Sequence, residues 1–328
     1  MNKIALLIET KDHAAKSAVY GMIAAARGNG RDISAFVIEE NPEAYRQNLQ
    51  EYGIETIISI KVNGSGGAYH PYHWAQSIVA AMERFDITTL LGLTTPRGKT
   101  LLPLIAAKLE APLAMDCRAV DLENNIAEKV LYSGKVNAQL RLKGSHFIYG
   151  MGYSFIDPVP FPVQSKVVSF EYKVEETSGY RIIGKRTETH EGVDLSEADV
   201  IVSGGRGVGG KENFITLHEC AEALNGSVGA SRAAVDSGWV PYSMQVGQTG
   251  AKVGPKVYIA CGLSGSLQHL AGMKNSGLVI AVNIDANAPI ASHCDYFVNE
   301  DLFTILPLLT QKVKKARSAD TKTSKKRS

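Results

Sequence analysis

No apolar run in this chain approaches the roughly eighteen residues that a membrane-spanning helix needs, so no membrane insertion is expected. The opening "IALLI" is too short for a signal core and ends at Glu9. It reads as a first strand, with no signal or transit peptide, and places the protein in the cytoplasm. Cysteine is scarce. Cys117, Cys220, Cys261 and Cys294 stand far apart with no C-x-x-C pair, which argues against a zinc site, an iron–sulfur cluster or a disulfide framework and leaves four reduced, mostly buried thiols. Charge of one sign is also lacking: the net charge of +2 provides no global field for nucleic acid or an acidic membrane surface. There is no P-loop either. "GSGG" at 64–67 follows a strand, but no helix starts directly after it and no Lys-Ser/Thr pair follows, so it reads as a structural loop.

What is present is an α/β pattern. Over the first hundred residues, "KIALLIE", "DISAFVIEE", "IETIISIK" and "DITTLLGLT" read as strands. The helical stretches "KSAVYGMIAAARGNG", "NPEAYRQNLQEYG" and "PYHWAQSIVAAMERF" lie between them. Such alternation argues a parallel sheet with helices on both faces. "RGKTLLPLIAAKLE" adds a helix with Pro103 in its first turn, where proline is tolerated. Beyond 116 the segments "DCRAVDLENNIAEKVLY", "NAQLRLKG" and "QSKVVSFEYKV" read as antiparallel strands completing or flanking that sheet. The aromatic, proline-rich "HFIYGMGYSFIDPVPFP" fits none of these elements and suits a subunit interface.

A second α/β pattern begins at 199. The expected organisation is an N-terminal domain over 1–190 with no nucleotide of its own, a linker over about 175–198, a doubly wound C-terminal domain over 199–313, and a basic disordered tail over 314–328.

In "ADVIVSGGRGVGGKENF", Gly205, Gly207 and Gly210 satisfy G-x-G-x-x-G between a strand and a helix. A Rossmann unit also needs an acid roughly 20 residues on, at the end of the next strand, to hold a ribose. That strand, "SVGAS", ends instead at Ser231-Arg232. An arginine there suits a 2′-phosphate, so an NADP-dependent reductase stays open on the residues alone. Ligands of open α/β sheets bind outside the strand carboxyl ends. Those ends here carry "SGGRG", "GASRAAVD", "CGLSGSLQH" and "VNIDANAP". "CGLSGSLQH" is the best phosphate loop of the four, since it leaves a strand and opens a helix. The long "WVPYSMQVGQTGAKVGPK" offers amide and hydroxyl groups between glycines, and loops of that length are usually functional.

Taken in order, "VSGGRG", "ENF", "VGASRAAVDSGWVP", "MQVGQTG", "VYIACGLSGSLQHLAGMKNS", "IAVNIDANAPI" and "DYFVNEDLFTILPLLT" resemble the flavin domain of electron transfer flavoprotein alpha subunits over 199–312. The N-terminal half resembles that family more loosely, best at "RGKTLLPLIAAKLEAPLAMDCRAV". Ala251 stands before Lys252 where the family has Lys directly after the "QVGQTG" run.

The resemblance implies an extended FAD lined by Arg206, Ser231, Arg232, Gly247, Gln248, Thr249, Ser264, Gly265, Ser266, Leu267, Gln268, His269, Asn283, Asp301 and Leu302. It implies that Arg232 lies over the flavin ring and favours the anionic semiquinone. Thr249 would bond N5 and His269 would place a donor near O2. Ser264, Ser266 and Gln268 would serve the pyrophosphate, and Asn283 and Asp301 the adenosine half. The implied protein is an electron carrier rather than a stand-alone enzyme. It would pair with a beta subunit and pass electrons from an acyl-CoA or related dehydrogenase to a quinone reductase or other acceptor. The electron-bifurcating, NADH-using branch is the variant alternative.

Overall fold

The computed structural model describes residues 3–11, 14–28, 32–38, 41–63, 69–132, 136–152, 158–174, 195 and 197–324. The "GSGG" loop and most of the expected linker lie outside the described residues. The chain divides into two compact units, Met1–Glu188 and Thr189–Ser328.

The first unit runs β1 (Lys3–Leu7), β2 (Thr10–Lys11), β3 (Ala14–Ala15), α1 (Ser17–Arg27), β4 (Ile33–Val37), α2 (Glu43–Glu51), β5 (Thr56–Asn63), α3 (Pro71–Arg84), β6 (Ile87–Leu93), α4 (Pro96–Lys108), β7 (Leu113–Asp121), β8 (Ile126–Leu131), β9 (Val136–Arg141), β10 (Phe147–Met151) and β11 (Lys166–Lys173). Its main sheet has the order β11-β5-β4-β1-β6-β10-β7-β8-β9. Alternate residues of β1 point to opposite faces. Ile4 and Leu6 join a core with α1 and α2, and Ala5 and Leu7 join one with α3 and α4.

Three expectations are corrected here. β8 and β9 do pair antiparallel, but β11 pairs parallel with β5. The aromatic stretch begins as β10, a fully buried strand lying parallel between β6 and β7. Further along it, Phe161 donates its N–H to the Glu51 carbonyl and lies under the Arg27 guanidinium at 4.0 Å. Val159 and Phe161 nevertheless keep exposed apolar surface beyond the buried strand. Finally, α4 starts at Pro96, with Thr95 accepting the Gly98 N–H as N-cap, so Pro103 falls inside the helix and not in its first turn.

At the carboxyl end of β1 the buried Glu9 accepts the Thr95 hydroxyl proton and pairs with Lys16 at 3.2 Å. These groups sit at the point where strand order reverses in this sheet, and among the described residues a cavity of about 10 Å³ borders Glu9.

The second unit contains β12 (Val200–Gly204), α5 (Phe214–Ala223), β13 (Ser227–Ala230), α6 (Arg232–Asp236), β14 (Val257–Cys261), α7 (Leu267–Met273), β15 (Leu278–Val282), β16 (Tyr296–Val298) and α8 (Leu302–Ser324). All five strands are parallel, in the order β13-β12-β14-β15-β16. Val202, Ile259 and Val282 face α5 and α8 on one side; Ile201, Tyr258 and Ala281 face α7 and the 289–293 turn on the other. The tail expected to be disordered from 314 continues α8 to Ser324, and Arg317 donates to Asn225 at 2.7 Å. Gln, Lys, Ala and Arg are good helix formers, and a polar composition did not outweigh that preference.

All four cysteines are free, and three of them are buried. Among the described residues no helix is long and apolar enough to cross a membrane.

Candidate functional site

Strand order in the second unit reverses between β12 and β14, which is where an open α/β sheet leaves a crevice at its carboxyl edge. The glycine burst crosses it. Gly205 N–H donates to the Cys261 carbonyl at 2.9 Å, and Gly207 N–H to the Gly262 carbonyl at 3.1 Å. A Cβ on Gly205 would stand 2.3 Å from the Gly262 oxygen, and one on Gly207 2.7 Å from the Gly262 Cα. These two glycines are thus required by backbone packing on backbone, not by a Rossmann turn.

The β14–α7 loop, 262–266, sits under this bridge. Ile290 N–H reaches the Ser264 carbonyl at 3.1 Å, and the Asn283 side-chain amide reaches the Leu263 carbonyl at 2.9 Å, which fixes the loop from the far side. Among the described residues, the N–H groups of Leu263, Ser264, Gly265 and Ser266 meet no protein acceptor. Such a run of donors suits a phosphate group.

A third wall comes from residues 245–251. Val246 N–H extends the β13 edge by donating to the Ala230 carbonyl, and Gln248 N–H ties the loop to α7 through the Gln268 carbonyl at 2.7 Å. Ser231, the N-cap of α6, places Arg232 on the same rim, where its Nε lies 3.3 Å from Asp236 Oδ2 in an exposed pair.

Together these segments enclose a cavity of about 700 Å³. That is within the range of cofactor sites, roughly 300–1,000 Å³. Of the expected ligands, Arg206, Ser231, Arg232, Gly247, Gln248, Thr249, Ser264, Gly265, Ser266, Gln268, His269 and Asn283 line it.

Leu267, Asp301 and Leu302 do not line it. Leu267 is half exposed at the start of α7. Asp301 accepts the Phe303 N–H at 2.9 Å and starts α8. Leu302 is buried in the core, supporting Gly262 from below. Asn283 has both ends of its amide engaged by backbone, donating to Leu263 and accepting from Asp285 N–H at 3.0 Å, so it braces the rim. Gly262 of the phosphate loop does line the cavity as expected, whereas the sequence reading missed Asp236, Gln245, Ile284, Asp285 and Pro289 as lining residues. All lie on strand ends or in the long loop already singled out, so their positions, though not their roles, could have been read.

His269 is 5% exposed and borders the cavity. Its Nε2 meets the Tyr258 hydroxyl at 2.9 Å, and among the described residues its Nδ1 has no hydrogen-bond partner. Burial holds the imidazole below the usual histidine range, at about 4, and the Val246 carbonyl, outside hydrogen-bond geometry, opposes this weakly. The ring is neutral at pH 7. The unfolded chain protonates this group near 6.5, while the folded chain resists until about 4. Its contribution to stability is therefore complete above pH 6.5 and is lost as pH falls, by about 2 kcal/mol at pH 5. Urea unfolding of the flavin-free chain is expected to show this loss, and His269→Gln to lack that part of it; equal pH slopes in the two proteins would contradict the assignment.

The unpartnered His269 nitrogen, the free N–H run and two arginines on one rim fit a large anionic cofactor with polar ring edges. Fold and site define an α/β protein with a nucleotide-scale cavity at a topological switch point. Comparison with known proteins takes the class further. Residues 194–274 match the model of the electron transfer flavoprotein FAD-binding domain, and residues 4–147 match that of the electron transfer flavoprotein domain. The chain is 35% identical over 324 residues to the electron transfer flavoprotein subunit alpha of Bacillus subtilis, covering 95% of this chain and 97% of that one. It is 35% identical over 298 residues to the subunit alpha of Thermoanaerobacterium thermosaccharolyticum, covering 88% and 89%. It is 38% identical over 306 residues to Protein FixB of Clostridium saccharobutylicum, covering 89% of each. This chain belongs to the electron transfer flavoprotein alpha-subunit family. That membership takes the place of the NADP-reductase alternative.

Proposed function

We propose that the cavity holds one extended FAD and that the chain, paired with a beta subunit, is a one-electron carrier between a dehydrogenase and a quinone reductase or other acceptor. The observation that supports it most is the convergence of four strand-end segments on one cavity of about 700 Å³ with unpaired N–H donors at one part and arginines on the rim. The flavin supplies the electron chemistry when bound, and the chain binds, orients and tunes it.

In this reading the 263–266 N–H groups, with Ser264, Ser266 and Gln268, hold the pyrophosphate. Arg206 adds positive charge on the same side of the crevice. Arg232, on the rim and held by an exposed pair with Asp236, would bring a positive charge to the ring, where it would favour an added electron. Thr249 meets the ring nitrogen N5. His269 stays neutral through burial, so it acts as a polar neighbour of O2 rather than a fixed positive charge. The free thiols suit a reducing compartment, which supports the cytoplasm.

Counting flavins in the purified heterodimer tests this. One FAD per alpha chain in an ordinary carrier, or two per heterodimer in the bifurcating branch, agrees with the proposal. A heterodimer that retains nicotinamide and no flavin contradicts it.

A further inference from the structure

Gln245 is buried, yet it was not among the expected ligands. Its amide Nε2 donates to Thr249 Oγ1 at 3.1 Å. A threonine hydroxyl has one proton to give and two lone pairs to receive with. With a lone pair engaged by Gln245, the proton is left to turn into the cavity, onto which Thr249 opens. Accepting one hydrogen bond also strengthens the one the hydroxyl donates.

The backbone of the same residue is held as firmly. Tyr242 donates its hydroxyl to the Thr249 carbonyl at 2.5 Å. Ala251 N–H closes the loop onto the Gln245 carbonyl at 2.7 Å, and a Cβ on Gly272 would stand 2.3 Å from Gly247 N, so α7 and the loop touch backbone to backbone. Thr249 is therefore oriented before any ligand arrives, and the ordering cost of binding falls accordingly.

We propose that Gln245 is a positioning residue that presets Thr249 as a hydrogen-bond donor into the cavity, favouring flavin states whose N5 carries no proton. This rests on the reading that the cavity holds FAD with N5 beside Thr249. Oxidised flavin offers N5 as an acceptor. Uptake of one electron from an external donor, without a proton, leaves it an acceptor. Uptake of a second electron together with a proton at N5 makes it an N–H donor facing another donor. The Gln245–Thr249 pair thus resists protonation at this nitrogen and favours stopping at one electron.

The test is a double-mutant cycle in the full heterodimer: Gln245→Met, Thr249→Val and the two combined, each titrated with dithionite while the visible spectrum is recorded. Gln245→Leu is a second apolar variant should the first not fold, and flavin content reports folding in all of them. Losing the amide donor is expected to lower the equilibrium constant for forming the one-electron form from the oxidised and two-electron forms about fivefold, the scale of one hydrogen bond, and so to lower its maximal yield by up to about twofold. In the Thr249→Val background the same substitution is expected to leave that yield unchanged, because Gln245 acts through the hydroxyl. Equal losses in both backgrounds, or a higher yield in Gln245→Met, would overturn the proposal while leaving the FAD reading intact. A wild-type heterodimer without flavin would overturn both.

Discussion

Gly265→Ala is expected to lose bound flavin and to destabilise the second unit by about 3 kcal/mol, through two separate penalties. Gly265 has φ +85°, a conformation that L-residues adopt at a cost of about 1–2 kcal/mol. A Cβ there would also stand 2.4 Å from the Ile290 nitrogen and 2.6 Å from its Cα, and both are backbone atoms that cannot rotate away. Ile290 is fully buried, and its N–H holds the Ser264 carbonyl at 3.1 Å. Moving the 289–293 turn to make room would therefore pull apart the loop whose N–H groups are proposed to hold the pyrophosphate. Gly238 is the control. Its φ is +71°, but an added Cβ would meet nothing within 4 Å. Gly238→Ala should cost only about 1–2 kcal/mol and keep its flavin. Urea unfolding and flavin content, measured on both variants, separate backbone strain from the clash. Equal behaviour of the two would mean that the close approach to Ile290 is unimportant.

The C-terminal rim was legible because its strands end in glycine, serine and charged residues, which do little for a core and much for a ligand. Twelve of the fifteen expected ligands line the cavity. The exceptions show where sequence is silent. Leu267 and Leu302 sit within the recognisable motifs, but motif membership does not say whether a leucine faces ligand, solvent or core. The proton logic at Thr249 was hidden for another reason: Gln245 and Tyr242 meet it only when the loop closes on itself. In the first unit, "FIYGM" carries no alternation because both faces of a central parallel strand are buried. Strand direction was likewise unreadable for β11. Its alternation is the same whether its neighbour runs with or against it, and only the pairing with β5 decides. The end of α8 was misjudged because a basic, polar composition is shared by solvated tails and by exposed helix faces.

The central claim is that this cavity binds FAD and, through Arg232, stabilises it after one electron. Arg232 lines the cavity, and among the described residues its ion pair is an exposed one with Asp236. A positive charge about 4 Å from a negatively charged ring contributes on the order of several kcal/mol at an effective dielectric near 20, and less with water at the rim. The most direct measurement is an anaerobic dithionite titration of wild-type and Arg232→Ala heterodimers, following the red one-electron form in the visible spectrum. The account predicts a high yield in the wild type and a yield lower by about twofold or more in Arg232→Ala, with flavin still bound. Equal yields in the two proteins would contradict it.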